Sequence, residues 1–194
     1  EVLTVANIRN VFNVNSYVAS DLLTGELEMH GINLISPNRS ECQVVRVHVV
    51  GGGGQTGEVL YRLNSAGFEV TAGILINDTN DHRAASILGL DFASTPHSGT
   101  IDEKMRSKNE RLIIDADYIV VCNGILTDIN LVNLRAIEAC RNVFFVEGSG
   151  GSTIDYTGGK ASKAYQELRE TASIITLQIL VSELRGKTLN SRLS

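Results

Sequence analysis

From residue 43 onward, short apolar runs with strand character alternate with segments of helical periodicity. The strand-like runs are QVVRVHVV at 43–50, FEVTAGILI at 68–76, YIVVC at 118–122 and VFFVEG at 143–148. Helices are predicted between them at 56–67, 81–89, 101–116 and 128–141, and residues 91–100 fit a loop or a brief strand. Apolar, β-branched strands that alternate with helices are typical of parallel sheets. The pattern therefore predicts an α/β fold, a Rossmann-like parallel sheet with helices on both faces.

The apolar spacing after the last of these strands predicts one long helix from Lys160 to about Leu184. Two sets of apolar residues repeat there at intervals of three and four: Tyr165, Leu168, Ala172, Ile175 and Ile179, and Ile174, Leu177, Val181 and Leu184. One apolar stripe is enough to pack a helix against a sheet. Two stripes indicate either one wide surface that faces the core or an additional contact with another subunit or domain. On the second interpretation, we predict a homodimer.

The first 36 residues have a different pattern and predict a small appendage. Thr4 suits the N-cap of a helix over 5–12. Extended stretches at 13–19 and 27–35 flank Gly25, as in a β-hairpin. A helix and one hairpin bury little surface and need something to pack on. The polar break at 36–40 gives a boundary, so we predict domains at 1–36 and 43–194.

Composition and charge narrow the function classes. The net charge is −5 at pH 7, which argues against a nucleic-acid-binding module. No apolar run reaches 18 residues, so no direct membrane insertion is expected. Cys42, Cys122 and Cys140 lack metal-site spacing and are interpreted as buried small residues. His48 lies inside a strand and is interpreted as a hydrogen-bonded core residue, so no metal site is predicted.

The glycine run after the first strand is the strongest candidate for a ligand site. Gly52 to Gly57 fit the pattern G-x-G-x-x-G between a strand and a helix, which is the context of a dinucleotide fingerprint. Unpaired N–H groups at the helix start could hold an anion. Asp78 follows the second strand at the distance where an acid can bind a ribose hydroxyl. Two alternatives stay open: the glycines only tighten the turn, and the Asp78 loop only caps the next helix.

The ends of the other strands are also small or polar, which predicts a cleft at the carboxyl edge of the sheet. The predicted ligand-binding residues are Gly51, Gly52, Gly53, Gly54, Gln55, Thr56, Gly57, Asn77, Asp78, Asn123 and Gly124. A polar segment, Glu147 to Gly151, follows a further strand. The pattern contains no nucleophile–base pair and no carboxylate dyad, so no catalytic residues are predicted. The expected ligand is a nucleotide or phosphate-like effector.

Two short motifs resemble ATPase signatures without their essential parts. Gly186-Lys187-Thr188 resembles the end of a P-loop, but Val181 stands where the first glycine is required. The segment GGQ at 53–55 follows a strand and lacks the Leu-Ser of the ABC signature motif. We therefore expect no ATP hydrolysis of the P-loop kind by this chain.

The opening segment resembles the closing part of ATP-binding subunits of iron–siderophore and cobalamin ABC importers. Val2-Leu3-Thr4 and Val11-Phe12-Asn13-Val14 match that part, with Asn13 where glycine is usual. Residues 48–92 resemble an additional C-terminal domain found on some of these subunits, with matches at Leu63, Gly67, Val70, Gly73 and Leu75. Residues 116–121 and 130–134 extend the resemblance, which covers most of residues 1–150.

The resemblance implies a non-catalytic accessory or regulatory domain of an importer ATP-binding protein. Its partners would be the ABC ATPase core, which binds ATP, and the membrane permease subunits. It would then act in the cytoplasm at the inner face of the membrane, with residues 1–36 as the tail of an absent ATPase core. Two other classes stay open: an NAD(P)-type dinucleotide-binding domain of an oxidoreductase, and a pure docking domain.

Overall fold

The computed structural model describes residues 7, 11, 14–20, 27–34, 44–51, 56–96, 100–122, 124–147 and 154–191, the stretches 14–20, 27–34 and 190–191 by backbone only. Its Cα positions group into two compact units, Glu1–Gln43 and Val44–Ser194. In the first unit, β1 (Val14–Ser20) and β2 (Leu27–Leu34) pair antiparallel, which confirms the two strands of the predicted hairpin. The helix predicted at 5–12 lies outside the described residues except for Asn7 and Val11, which are helical.

The second unit is a parallel sheet covered by helices, as the sequence predicts. Its strands are β3 (Arg46–Val50), β4 (Glu69–Ile76), β5 (Asp91–Thr95), β6 (Tyr118–Cys122), β7 (Val143–Glu147) and β8 (Ser173–Thr176). Its helices, in the part of the chain that the structure describes, are α1 (Thr56–Ser65), α2 (Asn80–Ile87), α3 (Glu103–Ile114), α4 (Asp128–Ala136), α5 (Lys160–Thr171) and α6 (Leu180–Ser191). Each neighbouring strand pair is parallel.

The strand order locates the crevice of the sheet. It is β5-β4-β3-β6-β7-β8, which is the doubly wound Rossmann order. Helices α1, α2 and α6 pack on one face, around Val49 and Val120, and α3, α4 and α5 pack on the other, around Val121 and Phe145. The direction of winding reverses between β3 and β6. In such sheets, ligands bind beside the carboxyl ends of these two strands, at the topological switch point.

The predicted long final helix is wrong, because it is interrupted by a strand. Helix α5 ends at Thr171, β8 follows, and a separate helix begins at Leu180. Ile174, Ile175 and Thr176 are β-branched and favour a strand. Ile175 is buried while Ile174 is half-exposed, the alternation of a sheet rather than of a helix. The local spacing fits a helix, but pairing with β7 satisfies the same backbone groups and buries Ile175.

This correction removes the argument for a homodimer. The two apolar stripes do not run along one helix, since their members are divided among α5, β8, α6 and the connections between them. Leu184 lies on the core-facing side of α6 and is buried, whereas Ile179 precedes that helix and is exposed. Other boundaries shift less: residues 91–95 form the strand β5, and α4 ends at Ala136 rather than near 141.

A β-bulge near the carboxyl end of β4 shapes the edge of the sheet. Ala72 pairs with Phe92 and Leu75 with Ser94, so β4 holds one extra residue between these pairs. The buried side chain of Asn133 accepts from the Ile74 N–H at 2.9 Å and donates to the Ile74 carbonyl at 3.0 Å. It therefore replaces the ladder bonds that the bulge breaks. A Cβ at Gly73 would lie 3.0 Å from the Asn133 amide, so a larger residue there would crowd that side chain.

His48 is a buried, hydrogen-bonded core residue, as the sequence predicts. Its Nδ1 lies 2.8 Å from Thr71 Oγ1 on β4. Burial lowers the pKa of His48 to about 4, and the nearby Asn109 side chain offsets part of that shift. Asn109 in turn donates to Asn133 Oδ1 at 3.3 Å. Asn109 therefore connects α3 to the side chain that holds the bulge.

We expect the stability of the fold to fall below neutral pH because of His48. The unfolded chain protonates this histidine near pH 6.5 and the folded chain only near pH 4, so the unfolded state binds more protons between these values. The stability that neutral His48 provides is complete above pH 6.5 and is lost as the pH falls toward 4. The free energy of unfolding should drop by about 2 kcal/mol from pH 7 to pH 5 through this residue.

Urea unfolding of the wild type and of His48→Asn at pH 5, 6 and 7 tests this expectation. Asparagine can still hydrogen-bond Thr71 but does not titrate. The variant should be less stable at pH 7, because the smaller side chain leaves a gap, and should show a flatter pH dependence. Equal slopes for the two proteins would contradict it.

Candidate functional site

The carboxyl end of β3 approaches the neighbouring elements so closely that only glycine fits there. A Cβ at Gly51 would lie 2.4 Å from Thr56 Oγ1 and 3.0 Å from Cys122 Cβ. Thr56 begins α1 and Cys122 ends β6, so three elements meet at Gly51. The first residue of the predicted glycine site is therefore needed for packing at the switch point.

The N-terminus of α1 already holds an anionic group of the protein itself. Asp81, in the first turn of α2, accepts the Thr56 N–H at 3.0 Å. Both residues are buried, at 2% exposure for Asp81 and 0% for Thr56. At least one of the N–H groups at the helix start, which the sequence predicts to be unpaired, is therefore bound to a side chain of the protein. Carboxylates are favoured at helix N-termini, where the backbone N–H groups and the helix dipole stabilise negative charge.

Asn130 joins the other side of the switch point to β3. Its Nδ2 donates to the Gly51 carbonyl at 3.3 Å, and its Oδ1 accepts from the Thr127 N–H and hydroxyl at 2.9 and 2.7 Å. Thr127 is the N-cap of α4. This one buried side chain therefore connects the start of α4 to the end of β3.

A cavity of about 190 Å³ lies between these elements. Its apolar wall is formed by Ile74, Leu75, Ile76, Ile125 and Ile129. Its polar wall is formed by Gly51, Thr79, Asp81, Thr127 and Asn130. We call it the switch-point cavity. The bulge at Gly73-Ile74 and the Asn130 contact shape its two sides.

The loop after β6 is held in place by the loop after β7. The Leu126 N–H donates to the Ile154 carbonyl at 2.8 Å, and the Tyr156 N–H donates to the Leu126 carbonyl at 2.9 Å. Hydrogen bonds from Ser162 and Thr157 hold the pKa of Asp155 well below its usual range. Since Ile125 and Thr127 flank Leu126, this pairing fixes part of the cavity wall.

The structure brings together some of the predicted site residues. Gly51 and Thr56 are in contact at the switch point, and Gly57 approaches α2, where an added Cβ would lie 3.3 Å from Ala84 Cβ. Asn77 and Asp78 form the turn after β4, with Asp78 exposed and in the left-handed region at φ 63°. Gly124 follows β6. Gly52, Gly53, Gly54, Gln55 and Asn123 lie outside the described residues.

Four polar residues that line the cavity, Thr79, Asp81, Thr127 and Asn130, were not predicted from the sequence. Thr127 and Asn130 have the spacing of a helix N-cap and its third residue, which is a recognisable signal. Asp81 gives only the local signal of an acid in the first turn of its own helix. Its contact with Thr56 spans 25 positions and depends on the approach of α1 to α2, which no local pattern reveals.

The described residues offer binding groups and an unreactive thiol. Burial, and to a smaller extent the Asp81 carboxylate, raise the pKa of Cys122, so its thiol stays protonated. Among the residues that the structure describes, no three His, Cys, Asp or Glu side chains cluster as a metal site would require. Lys187 and Thr188 lie within α6, not in a phosphate-binding loop. Within the same described part, no helix is both long and apolar enough to cross a bilayer.

The chain matches the profile of a protein family and is similar to part of two curated proteins. The profile of the MJ0874 family matches residues 70–180, more than half of the chain. The cobalamin import ATP-binding protein BtuD from two strains of Halobacterium salinarum, R1 and NRC-1, is 33% identical over 122 residues. That alignment covers 62% of this chain and 30% of the relative.

A solved structure of DNA processing protein A from Helicobacter pylori, described for its single-stranded DNA binding mode, superposes with a TM-score of 0.46. The two chains share 11% identity, over 74% of this chain and 81% of the other. Similarity at this level supports no conclusion about function.

Proposed function

This chain belongs to the MJ0874 family, and we propose that it serves as a non-catalytic accessory domain of an importer ATP-binding protein of the cobalamin or iron–siderophore class. The observation that carries the proposal is the 33% identity to the cobalamin import ATP-binding proteins. Because the chain spans only 30% of their length, it corresponds to a part of such a protein. The resemblance of residues 1–36 to the closing segment of an ATPase core supports the same assignment.

The regulatory part of the proposal rests on the switch-point cavity. A small molecule bound there would contact β4, α2 and the start of α4 together. Any ligand that binds one arrangement of these elements better than another shifts their populations. We propose that such a shift alters how the domain docks on the ATPase core, and so alters transport by the permease subunits at the inner face of the membrane.

Uptake of labelled cyanocobalamin or ferric siderophore in the source organism tests the accessory role. Three strains are compared. In one, codons 44–194 are deleted, and in the other two the deleted segment is restored as the wild-type sequence or as the Gly51→Ala variant. Deletion should change the dependence of uptake on external substrate while the ATP-binding protein still assembles with its permease. The wild-type sequence should restore it fully, and the destabilised Gly51→Ala variant should restore it less well.

Two outcomes would count against the accessory role. One is uptake that is unchanged by the deletion at every substrate concentration. The other is failure of the tagged chain to co-purify with the importer after mild crosslinking. Co-purification with unchanged regulation would instead favour a pure docking domain.

A dinucleotide-binding domain is the second candidate, and the strand order favours it. The order β5-β4-β3-β6-β7-β8 and the glycine run after β3 are both features of dinucleotide-binding Rossmann domains. The observation against it is that the Asp81 carboxylate of α2 accepts the Thr56 N–H at the start of α1, where the pyrophosphate normally binds. Titration with NAD⁺, NADH, NADP⁺ and NADPH, followed by calorimetry, separates the two candidates.

A further inference from the structure

The switch-point cavity has the charge pattern of a site for a hydrogen-bond donor. Asp81 lies in its wall, buried to 2% exposure, and accepts the Thr56 N–H at 3.0 Å. A carboxylate offers about four acceptor positions, so it can accept a ligand donor in addition to that N–H. The Thr79 and Thr127 hydroxyls in the wall can accept as well.

The same carboxylate disfavours an anionic ligand. The positive end of the α1 dipole, which attracts phosphate in other Rossmann domains, is here paired with Asp81. An anion that entered the cavity would meet a buried negative charge with little water to screen it. The phosphate-like effector expected from the glycine run is thus opposed by a residue outside that run.

The size and lining of the cavity limit the ligand further. An apolar cavity of about 150 Å³ is large enough for benzene, and this one measures about 190 Å³. Isoleucine side chains from the end of β4 and from the segment before α4 form its apolar side. Such a space takes one ring or a short branched chain, and a whole dinucleotide does not fit inside it.

We propose that the switch-point cavity binds a small molecule with an apolar body and an uncharged or cationic N–H or O–H donor directed at Asp81, and that it discriminates against carboxylates and phosphates. This inference rests on the proposed function in one respect, that the ligand is the effector of the accessory domain. Bound there, it would join α2 to α4 across the end of β4 and stabilise this arrangement.

Three ring compounds of nearly equal size separate charge from shape: benzylamine, benzyl alcohol and benzoate. Each is titrated into the 194-residue chain, with inorganic phosphate as a fourth probe, and the NMR signals of Gly51, Thr56 and the Ile74 methyl groups are followed. Benzylamine should bind at least about tenfold more tightly than benzoate, with benzyl alcohol between them. Phosphate should leave the Thr56 amide signal unchanged.

Two substitutions identify the residue responsible. Asp81→Asn keeps an acceptor for the Thr56 N–H but removes the charge, so benzylamine and benzoate should bind with affinities within about threefold of each other. Asp102→Asn is the matched control, because Asp102 caps the start of α3 by accepting the Met105 N–H and does not line the cavity. It should leave the discrimination intact. Ile129→Trp fills the cavity and should abolish binding of every probe.

Three results would overturn the proposal. They are binding of benzoate or phosphate as tight as that of benzylamine, discrimination that persists in Asp81→Asn, and no probe-induced shift at the cavity residues at tens of millimolar probe. The uptake and co-purification experiments use no probe. A failed titration therefore removes the ligand assignment without deciding the accessory role, and a failed uptake experiment leaves the ligand preference of the cavity standing.

Discussion

Asn133→Leu is expected to lower the free energy of unfolding by about 4 kcal/mol, because it leaves two buried backbone groups without partners at about 1–3 kcal/mol each. The Asn133 side chain is the partner of both the N–H and the carbonyl of Ile74 in the bulge of β4. Leucine has the same number and branching of side-chain heavy atoms, so the loss comes from hydrogen bonding rather than from a cavity. Urea unfolding followed by circular dichroism at pH 7 measures it.

Asn142→Leu provides the matched control for this experiment. Asn142 also donates to a backbone carbonyl, that of Asp117 at 3.1 Å, but it is exposed and water can replace it. Its substitution should cost no more than about 0.5–1 kcal/mol. Similar losses for the two variants would mean that the bulge does not depend on Asn133.

Gly51→Ala is expected to destabilise the fold by about 3 kcal/mol through overpacking. The new Cβ would lie 2.4 Å from Thr56 Oγ1 and 3.0 Å from Cys122 Cβ. The backbone at Gly51 is not in the left-handed region, so the cost is steric. Thr56→Ala removes the closer of the two atoms, and the double variant should recover part of the loss. Thermal and urea unfolding of the single and double variants give the coupling energy.

Gly186→Ala is the control for the glycine substitution. Gly186 lies inside α6, and an added Cβ would meet nothing within 4 Å. Alanine at a compatible helical position should stabilise the protein by about 0.5–1 kcal/mol, mainly by restricting the unfolded chain. A loss at Gly51 no larger than the change at Gly186, or additive effects of Gly51→Ala and Thr56→Ala, would contradict the packing account of the switch point.

The site was only partly predictable from the sequence, because Asp81 belongs to α2 but forms its hydrogen bond with α1. The glycine run, Thr56 and the polar strand ends follow from local signals, and the structure brings Gly51 and Thr56 into contact. Asp81 reads locally as an acid in the first turn of a helix, and its bond to Thr56 exists only because α1 and α2 pack side by side. The sequence predicts an anionic ligand, and the structure leads us to propose a ligand that donates a hydrogen bond. The contact between Asp81 and Thr56 is the reason for this difference.

The sequence by itself determined the fold class and most of the strand and helix positions. Strands such as YIVVC are buried on both faces and are therefore continuous apolar runs. The helices α1 and α4 have apolar residues at helical spacing. The local pattern of apolar residues therefore indicates which faces of each element are buried. The structure alone decided the interruption at β8, the order of the strands and the bulge held by Asn133. Each of these depends on hydrogen bonds or burial between segments far apart in the chain. The free energy of these long-range contacts outweighs the local helix and strand preferences of the residues. It produces no periodic pattern in the sequence from which it could be predicted.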